Sequence, residues 1–199
     1  MKKDFVYLAS ASPRRGELLR QIGVPFQARP AAISEERLAG ETPEAYVVRL
    51  AAAKAETIFA STAGDARPVL AADTAVVLDG EVLGKPETEA EAAAMLERLS
   101  GRSHRVLTGV ALRYAAGVET RLSESEVRFR ATTAAERQAY CRTGEPFDKA
   151  GGYGIQGHAA VFVEELKGSY SGVVGLPLYE TAALLARCGL GFWLTSRAA

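Results

Sequence analysis

The sequence predicts an α/β fold, a mixed sheet flanked by helices. Short apolar runs of strand length alternate with helical patterns along the chain. Hairpin turn signals interrupt that alternation, so some neighbouring strands are expected to be antiparallel. Apolar residues make up 48% and charged residues 24% of the 199 residues, as in an ordinary globular protein.

Two helices of the first third are marked by their ends. An apolar strand over 5–9 leads into a helix over 13–22, with Ser12 as its N-cap and Gly23 beyond its last turn. A longer helix is predicted over 42–61, where a threonine cap is followed by a proline at the first helical position.

The rest of the chain continues the alternation. A nearly continuous apolar run predicts a buried strand over 68–78, and the Asp-Gly pair after it predicts a hairpin. A capping-box pattern predicts a helix over 88–101. The remaining predictions are paired strands 104–114 and 119–130, a helix 133–144, a glycine-rich loop 144–158, strands 160–166 and 171–175, and a helix 176–189.

Charge and cysteine content narrow the class of protein. Lysine plus arginine equals aspartate plus glutamate, at 24 each, which argues against non-specific binding to bulk nucleic acid or anionic membranes. Cys141 and Cys188 show neither a disulfide framework nor metal-ligand spacing. The apolar run near the N-terminus is too short for a signal peptide, and no stretch reaches the length of a membrane span. We therefore expect a soluble, cytoplasmic protein.

The first helix carries two arginines where the helix dipole disfavours positive charge. Arg14 and Arg15 follow the hydroxyls of Ser10 and Ser12. Hydroxyls, first-turn amides and guanidinium groups together would bind an anion such as a phosphate chain. The alternative is a capped surface helix whose arginines pair with nearby acids.

Two charged residues stand in apolar surroundings. Lys54 lies in the apolar stripe of the long helix, so its side chain either extends to solvent or points into a cleft toward a phosphate. Asp73 interrupts the apolar strand, where a lone carboxylate needs a partner or a metal. A bulge or strand-end pairing would also explain it. Thr74, the next residue, points to the face of a regular strand opposite Asp73, or into the site if the strand ends there.

Five further polar residues are weaker candidates. Lys85 alone indicates a surface lysine, and Glu35 lies in an acidic loop. Gln156 lies between glycines, and its amide could pair with the imide edge of uracil or thymine. His104 and His158 lack metal-like spacing, and we treat them as structural or surface residues.

Taken together, these residues indicate metal-assisted phosphoryl chemistry. Cations, two carboxylates and hydroxyls directed at an anion suit Mg²⁺, which shares oxygen ligands between carboxylates and phosphates. The sequence has neither GxxxxGK[ST] nor HExxH, which argues against a P-loop protein and a zinc protease of that type.

Several segments in the same order resemble the Maf family of nucleoside-triphosphate pyrophosphatases. These are SASPRRGELL, YVVRLAAAKA, AADTAVVLDGEVLGKP, SGRSHRVLTGVAL, GEPFDKAGGYGIQG and GSYSGVVGLPLYET. The last two are similar to the branch that acts on dTTP and UTP.

The resemblance implies hydrolysis between the α- and β-phosphates by a single Maf-like domain over 1–199. It also implies an elongated fold like that of inosine-triphosphate pyrophosphatase, with a cleft between two lobes, and a homodimer. The implied roles are proton acceptor for Asp73; specificity for Arg14, Thr74 and Gln156; phosphate binding for Ser10, Ser12, Arg15, Lys54 and Lys85; and binding of Mg²⁺ or Mn²⁺ for Glu35 and Asp73.

Two departures from the family pattern bear on these roles. Ser34 precedes Glu35 where two acids are common, so one metal contact is expected to be weaker or taken by water. His158 stands where a small or apolar residue is expected, and contact with the base is one role open to it. The alternatives are the same chemistry on 7-methyl-GTP or CTP, or a non-catalytic nucleotide- or nucleic-acid-binding regulator of septum formation.

Overall fold

A computed structural model describes residues 5–62, 65 and 67–190. The chain divides into two compact units. Unit 1 holds the described parts of 1–73, 108–123 and 175–199, and unit 2 holds 74–107 and 124–174. The single domain expected over 1–199 stays a prediction. None of the helices within the described ranges is both long enough and apolar enough to cross a membrane.

The described residues form a mixed, seven-stranded sheet flanked by helices, which confirms the predicted fold class. Its strand order is β2-β1-β3-β5-β6-β7, with β4 paired to β3. The strands are β1 Val6–Leu8, β2 Phe26–Ala28, β3 Val69–Leu78, β4 Glu81–Leu83, β5 Ser103–Tyr114, β6 Gly117–Phe129 and β7 Val163–Lys167. The helices are α1 Pro13–Gln21, α2 Pro43–Ser61, α3 Glu89–Leu99, α4 Ala134–Cys141, α5 Tyr170–Val174 and α6 Leu178–Arg187.

Unit 1 packs the long helix α2 against the sheet. Strand β1 pairs in parallel with both β2 and β3. Helix α2 begins as predicted, because the Thr42 hydroxyl accepts a hydrogen bond from the Ala45 amide at 3.2 Å. Gly109 of β5 allows very close packing, since a Cβ there would lie 2.6 Å from the carbonyl carbon of Val47 in α2. Helix α2, which carries Lys54, is therefore packed closely against β5.

Unit 2 contains the predicted hairpin and an aromatic core. Asp79 and Gly80 have φ of 53° and 80°, as a two-residue hairpin turn requires, and β3 and β4 are antiparallel. Behind them, Phe129 packs edge-on against both Tyr153 and His104. Helix α4 begins with a complete capping box. In α3, where a capping box was predicted, the Thr88 hydroxyl accepts from the Glu91 amide, but the Glu91 side chain accepts from the Glu87 amide and not from that of Thr88.

Two predicted strands are wrong in whole or in part. Residues 171–175 are predicted to form a strand, but Tyr170–Val174 is the short helix α5. Ser169 starts this helix, because its hydroxyl accepts from the Gly172 amide and its carbonyl from the Val173 amide, both at 3.0 Å. In 160–166, only the part from Val163 onward is strand, and His158–Phe162 is a 3₁₀ helix.

His104 is expected to make folding depend on pH. Its Nε2 lies 2.7 Å from the Tyr153 hydroxyl, and its buried Nδ1 has no hydrogen-bond partner among the described residues. Burial lowers the pKa of His104 from 6.5 to about 4. The unfolded chain therefore takes up the proton first as the pH falls. The contribution of neutral His104 to the free energy of unfolding is fully present above pH 6.5. About 3 kcal/mol of it is lost as the pH falls from 6.5 through 4.

Urea unfolding of the wild type and of His104→Gln at pH 7 and pH 4.5 measures this loss. The variant is expected to lose less free energy of unfolding over this interval than the wild type. Equal losses in the two proteins would show that His104 does not titrate as its burial requires.

Candidate active site

The candidate site in unit 1 is centred on the ammonium group of Lys54. Its Nζ lies 2.6 Å from Oδ1 of Asp73 and 2.5 Å from Oε1 of Glu35. The side chains of Lys54 and Asp73 are each 11% exposed, whereas that of Glu35 is 50% exposed. Lys54 therefore does not extend to solvent. It binds two carboxylates that come from a loop and a strand.

Asp73 lies in the interior of β3, so a strand end does not account for it. Leu8 of β1 pairs with Leu70 of β3, and Leu83 of β4 pairs with Val76 of β3, so Asp73 lies between these two positions. Strand β3 continues to Leu78. The pairing with Lys54 explains how a carboxylate is tolerated in this apolar strand.

The electrostatics of Asp73 favour a carboxylate that can take up a proton. Burial raises its pKa above the ordinary value of 3.8, and the charges of Lys54 and Arg15 oppose this rise without cancelling it. The nearby negative charge of Glu35 raises the pKa further. A raised pKa brings a carboxyl group closer to the range in which a general base works well near neutral pH.

Arg15 extends the site toward the start of α1. Its Nη1 donates to the Ser10 hydroxyl at 3.1 Å, and its Nε donates to the carbonyl of Gly175 at 2.8 Å. Burial lowers its pKa, as does the charge of Arg14, while Asp73 raises it. These interactions place a fixed guanidinium beside the carboxylates, as an anion site requires.

Ser12 differs in one detail from the prediction. It is the N-cap residue of α1 by position and has extended backbone angles, but its side chain makes no capping hydrogen bond. Its amide donates to the Ser10 hydroxyl at 3.1 Å instead. The first turn of α1 is therefore not capped by the Ser12 hydroxyl, and that hydroxyl is not committed to the helix.

The loop that carries Glu35 is held by α2. The Tyr46 hydroxyl donates to the Glu35 carbonyl at 2.9 Å, and Nη2 of Arg49 donates to the Glu36 carbonyl at 3.0 Å. Arg49 also forms a two-point ion pair with Glu41, which lowers the pKa of Glu41 to about 2. Neither Tyr46 nor Arg49 was predicted as a supporting residue, because the only signal in the sequence is their three-residue spacing on one helix.

The other three predicted site residues belong to unit 2. Thr74 directly follows Asp73 in β3 and is half-buried. Lys85 is exposed just after β4. Gln156 is exposed in a turn that the Gly157 amide closes onto the Gly154 carbonyl at 3.0 Å.

The two histidines have different surroundings. His104 is buried in the aromatic core of unit 2, which confirms its structural role. The exposed ring of His158 lies 2.8 Å from the Glu145 carboxylate through Nδ1. Contact of His158 with a base stays a prediction.

Carboxylates are the only candidate metal ligands here. No group of three or more His, Cys, Asp or Glu suitable for a metal occurs in the described ranges. Glu35 and Asp73, however, already share one cation, the ammonium of Lys54. Two carboxylates suit Mg²⁺ when substrate phosphates and water complete its shell.

The sequence that carries this site matches the model of a known protein family over most of the chain. A family model described as Maf-like protein matches residues 5–188, which include every candidate site residue. The chain belongs to the Maf family. A relative from Cupriavidus pinatubonensis, named dTTP/UTP pyrophosphatase, is 52% identical over 198 residues, covering 95% of this chain and 99% of its own. A Maf relative of the same name from Methylobacillus flagellatus is 51% identical over 185 residues and covers 93% of each chain.

One comparison concerns solved structures. A nucleoside-triphosphatase, or dITP/XTP pyrophosphatase, from Mycobacterium abscessus covers 92% of this Maf chain and 94% of its own. Its TM-score is 0.45 and its sequence identity is 16%.

Proposed function

We propose that this chain hydrolyses dTTP and UTP to the nucleoside monophosphate and pyrophosphate. The observation that carries the proposal is the buried Asp73 carboxylate, which is paired with Lys54, an ammonium that also binds Glu35, beside the fixed Arg15 guanidinium. The names of the relatives at about half identity supply the substrate class.

The cationic side chains would bind the triphosphate. Arg15 presents a rigid guanidinium, which suits two-point recognition of phosphate. Arg14, Lys54 and Lys85 would add charge, and the hydroxyls of Ser10 and Ser12 would donate hydrogen bonds. Fixed positive charge is worth most where negative charge develops in the transition state.

Asp73 would act as the general base. Water attacks a phosphorus atom of the α–β anhydride, its proton passes to the Asp73 carboxylate, and the bond between the two phosphates breaks. The leaving oxygen keeps the bonding electron pair. The raised pKa of Asp73 favours this proton transfer.

A divalent cation fits the carboxylate pair. Glu35 and Asp73 each place a carboxylate oxygen within 2.6 Å of the Lys54 ammonium, so both oxygens already bind one positively charged group. We propose that they hold Mg²⁺ or Mn²⁺ together with substrate phosphates. When bound, such an ion would neutralise phosphate charge and polarise phosphorus–oxygen bonds.

The homodimer expected from the family resemblance is also part of this proposal. Sedimentation analysis of the purified protein measures its oligomeric state.

Gln156 would read the base, with Arg14 and Thr74 as further specificity contacts. A neutral amide can donate to a carbonyl and accept from N3–H of an imide edge, whereas a carboxylate can only accept. Gln156→Glu is therefore expected to lower kcat/KM for dTTP and UTP about 10-fold or more, and that for CTP less. The control is Gln138→Glu, an exposed residue of α4. An unchanged preference in Gln156→Glu would remove this role.

A nucleotide panel tests the proposed substrate. The purified protein is assayed with Mg²⁺ against dTTP, UTP, CTP, 7-methyl-GTP and 5-substituted pyrimidine triphosphates, with detection of pyrophosphate. Preference for dTTP and UTP supports the proposal. Preference for 7-methyl-GTP or CTP, or binding without turnover, contradicts it in favour of the alternatives named above.

A further inference from the structure

The turn that carries Gln156 depends on contacts from neighbouring residues as well as on its own backbone. One hydrogen bond, from the Gly157 amide to the Gly154 carbonyl at 3.0 Å, closes it. Ile155 is buried, whereas Gln156 is exposed. Since the amide of Gln156 must meet a base edge with the right atoms, its position depends on what holds this turn from outside.

The carboxylate of Glu145 lies against the end of that turn. Its Oε2 accepts from the backbone amide of His158 and from Nδ1 of the same residue, each at 2.8 Å. Its Oε1 accepts from the Tyr140 hydroxyl at 3.0 Å. The side chain is only 14% exposed. Burial would raise its pKa, but the pKa is lowered, because hydrogen bonds from His158, Tyr140 and the Ala159 amide outweigh burial.

The glycine after Gln156 is required by this carboxylate. A Cβ on Gly157 would overlap both oxygens of Glu145 and lie 2.5 Å from its Cδ. The φ of Gly157 is −109°, which any residue can adopt. A glycine therefore stands here to let the carboxylate reach the backbone and not to form an unusual turn.

The main chain of Glu145 is linked to the start of the turn through Lys149. Its carbonyl accepts from Nζ of Lys149 at 2.7 Å. The Lys149 stem lies against Gly154, where a Cβ would be 2.7 Å from Cε of Lys149 and 3.1 Å from Nε2 of Gln156. Glu145 therefore supports both ends of the turn, one directly and one through Lys149.

We propose that Glu145 is a positioning residue that fixes the Gln156 amide and thereby sets the preference for imide bases. This inference rests on the proposed function. It assigns to Glu145 no contact with substrate. Its effect is expected in the discrimination between bases and not in the rate of the chemical step, because Glu145 acts only through the turn.

The test compares kcat/KM for UTP and CTP, which differ at the imide edge. Glu145→Ala is expected to lower the UTP:CTP ratio about 10-fold, mainly through a higher KM for UTP, with kcat within about 3-fold. Glu145→Gln should keep most of the ratio, because its amide can accept from His158 and donate to Tyr140. The control is Glu164→Ala, an exposed acid of β7 paired with Arg128.

A second variant, Gly157→Ala, tests the same inference if Glu145→Ala does not fold. Gly157→Ala keeps Glu145 but displaces its carboxylate, and it should lower the UTP:CTP ratio in the same way. A folded variant with the wild-type ratio, or an equal loss of kcat for every nucleotide, would overturn the inference. A wild type without preference for UTP over CTP would overturn the proposed function first, so the wild-type assay alone separates the two failures.

Discussion

Replacing Asp73 by asparagine is expected to lower turnover of dTTP at least ~100-fold. Asparagine has nearly the same shape but cannot accept the proton of an attacking water. The measurement is kcat at saturating dTTP and Mg²⁺, with pyrophosphate detection. Turnover near that of the wild type would remove Asp73 from its proposed role.

Loss of the fold is not expected to explain this effect. Burial raises the pKa of Asp73, so the folded state disfavours the charged form. A group of this kind stabilises the protein below its unfolded pKa, and that contribution is lost as the pH rises through the folded pKa. The asparagine oxygen can still accept a hydrogen bond from Lys54, and Lys54 keeps Glu35 as its ion-pair partner, so the variant is expected to fold, which a thermal melt checks. Asp79→Asn, at the exposed hairpin turn, is the matched control and should keep wild-type turnover.

Replacing Lys54 by methionine is expected to reduce turnover by a comparable factor, ~100-fold or more. The ammonium balances two carboxylates, and without it Asp73 and Glu35 would repel each other. Methionine fills a similar volume in the apolar stripe of α2, so the helix should remain packed. The measurement is again kcat for dTTP, accompanied by a thermal melt.

Lys167→Met provides the comparison for Lys54→Met. Lys167 is an exposed lysine of β7, with a side chain 63% exposed, and its loss should not change turnover. If Lys54→Met retained turnover within about 10-fold of the wild type while remaining folded, Lys54 would be a structural ion-pair partner only.

The residues that the sequence marks most clearly are those whose type conflicts with their surroundings. Asp73 in an apolar strand and Lys54 in an apolar stripe are each unusual alone, and the structure joins them at 2.6 Å. Local signals were also reliable where backbone chemistry decides the result. The proline after Thr42 and the Asp-Gly pair lie where a helix starts and a hairpin turns.

Other features depend on contacts that are distant in the sequence. Glu35 pairs with Lys54 across an irregular loop, whose position depends on Tyr46 and Arg49 of α2. The sequence of the loop has no periodic pattern from which its position, or the pairing of Glu35 with Lys54, could be predicted. Strand β2 has only three residues, too few for an alternating pattern. Helix α5 contains Val-Val, which favours a strand, but the Ser169 hydroxyl and carbonyl accept hydrogen bonds from the amides of Gly172 and Val173.

Product analysis tests the central claim most directly. The wild type is incubated with dTTP and Mg²⁺, and the nucleotide and phosphate products are separated by anion exchange. We expect dTMP and pyrophosphate in equal amounts. Formation of dTDP and orthophosphate, or no turnover by the folded protein, would contradict hydrolysis between the α- and β-phosphates at the Asp73 site.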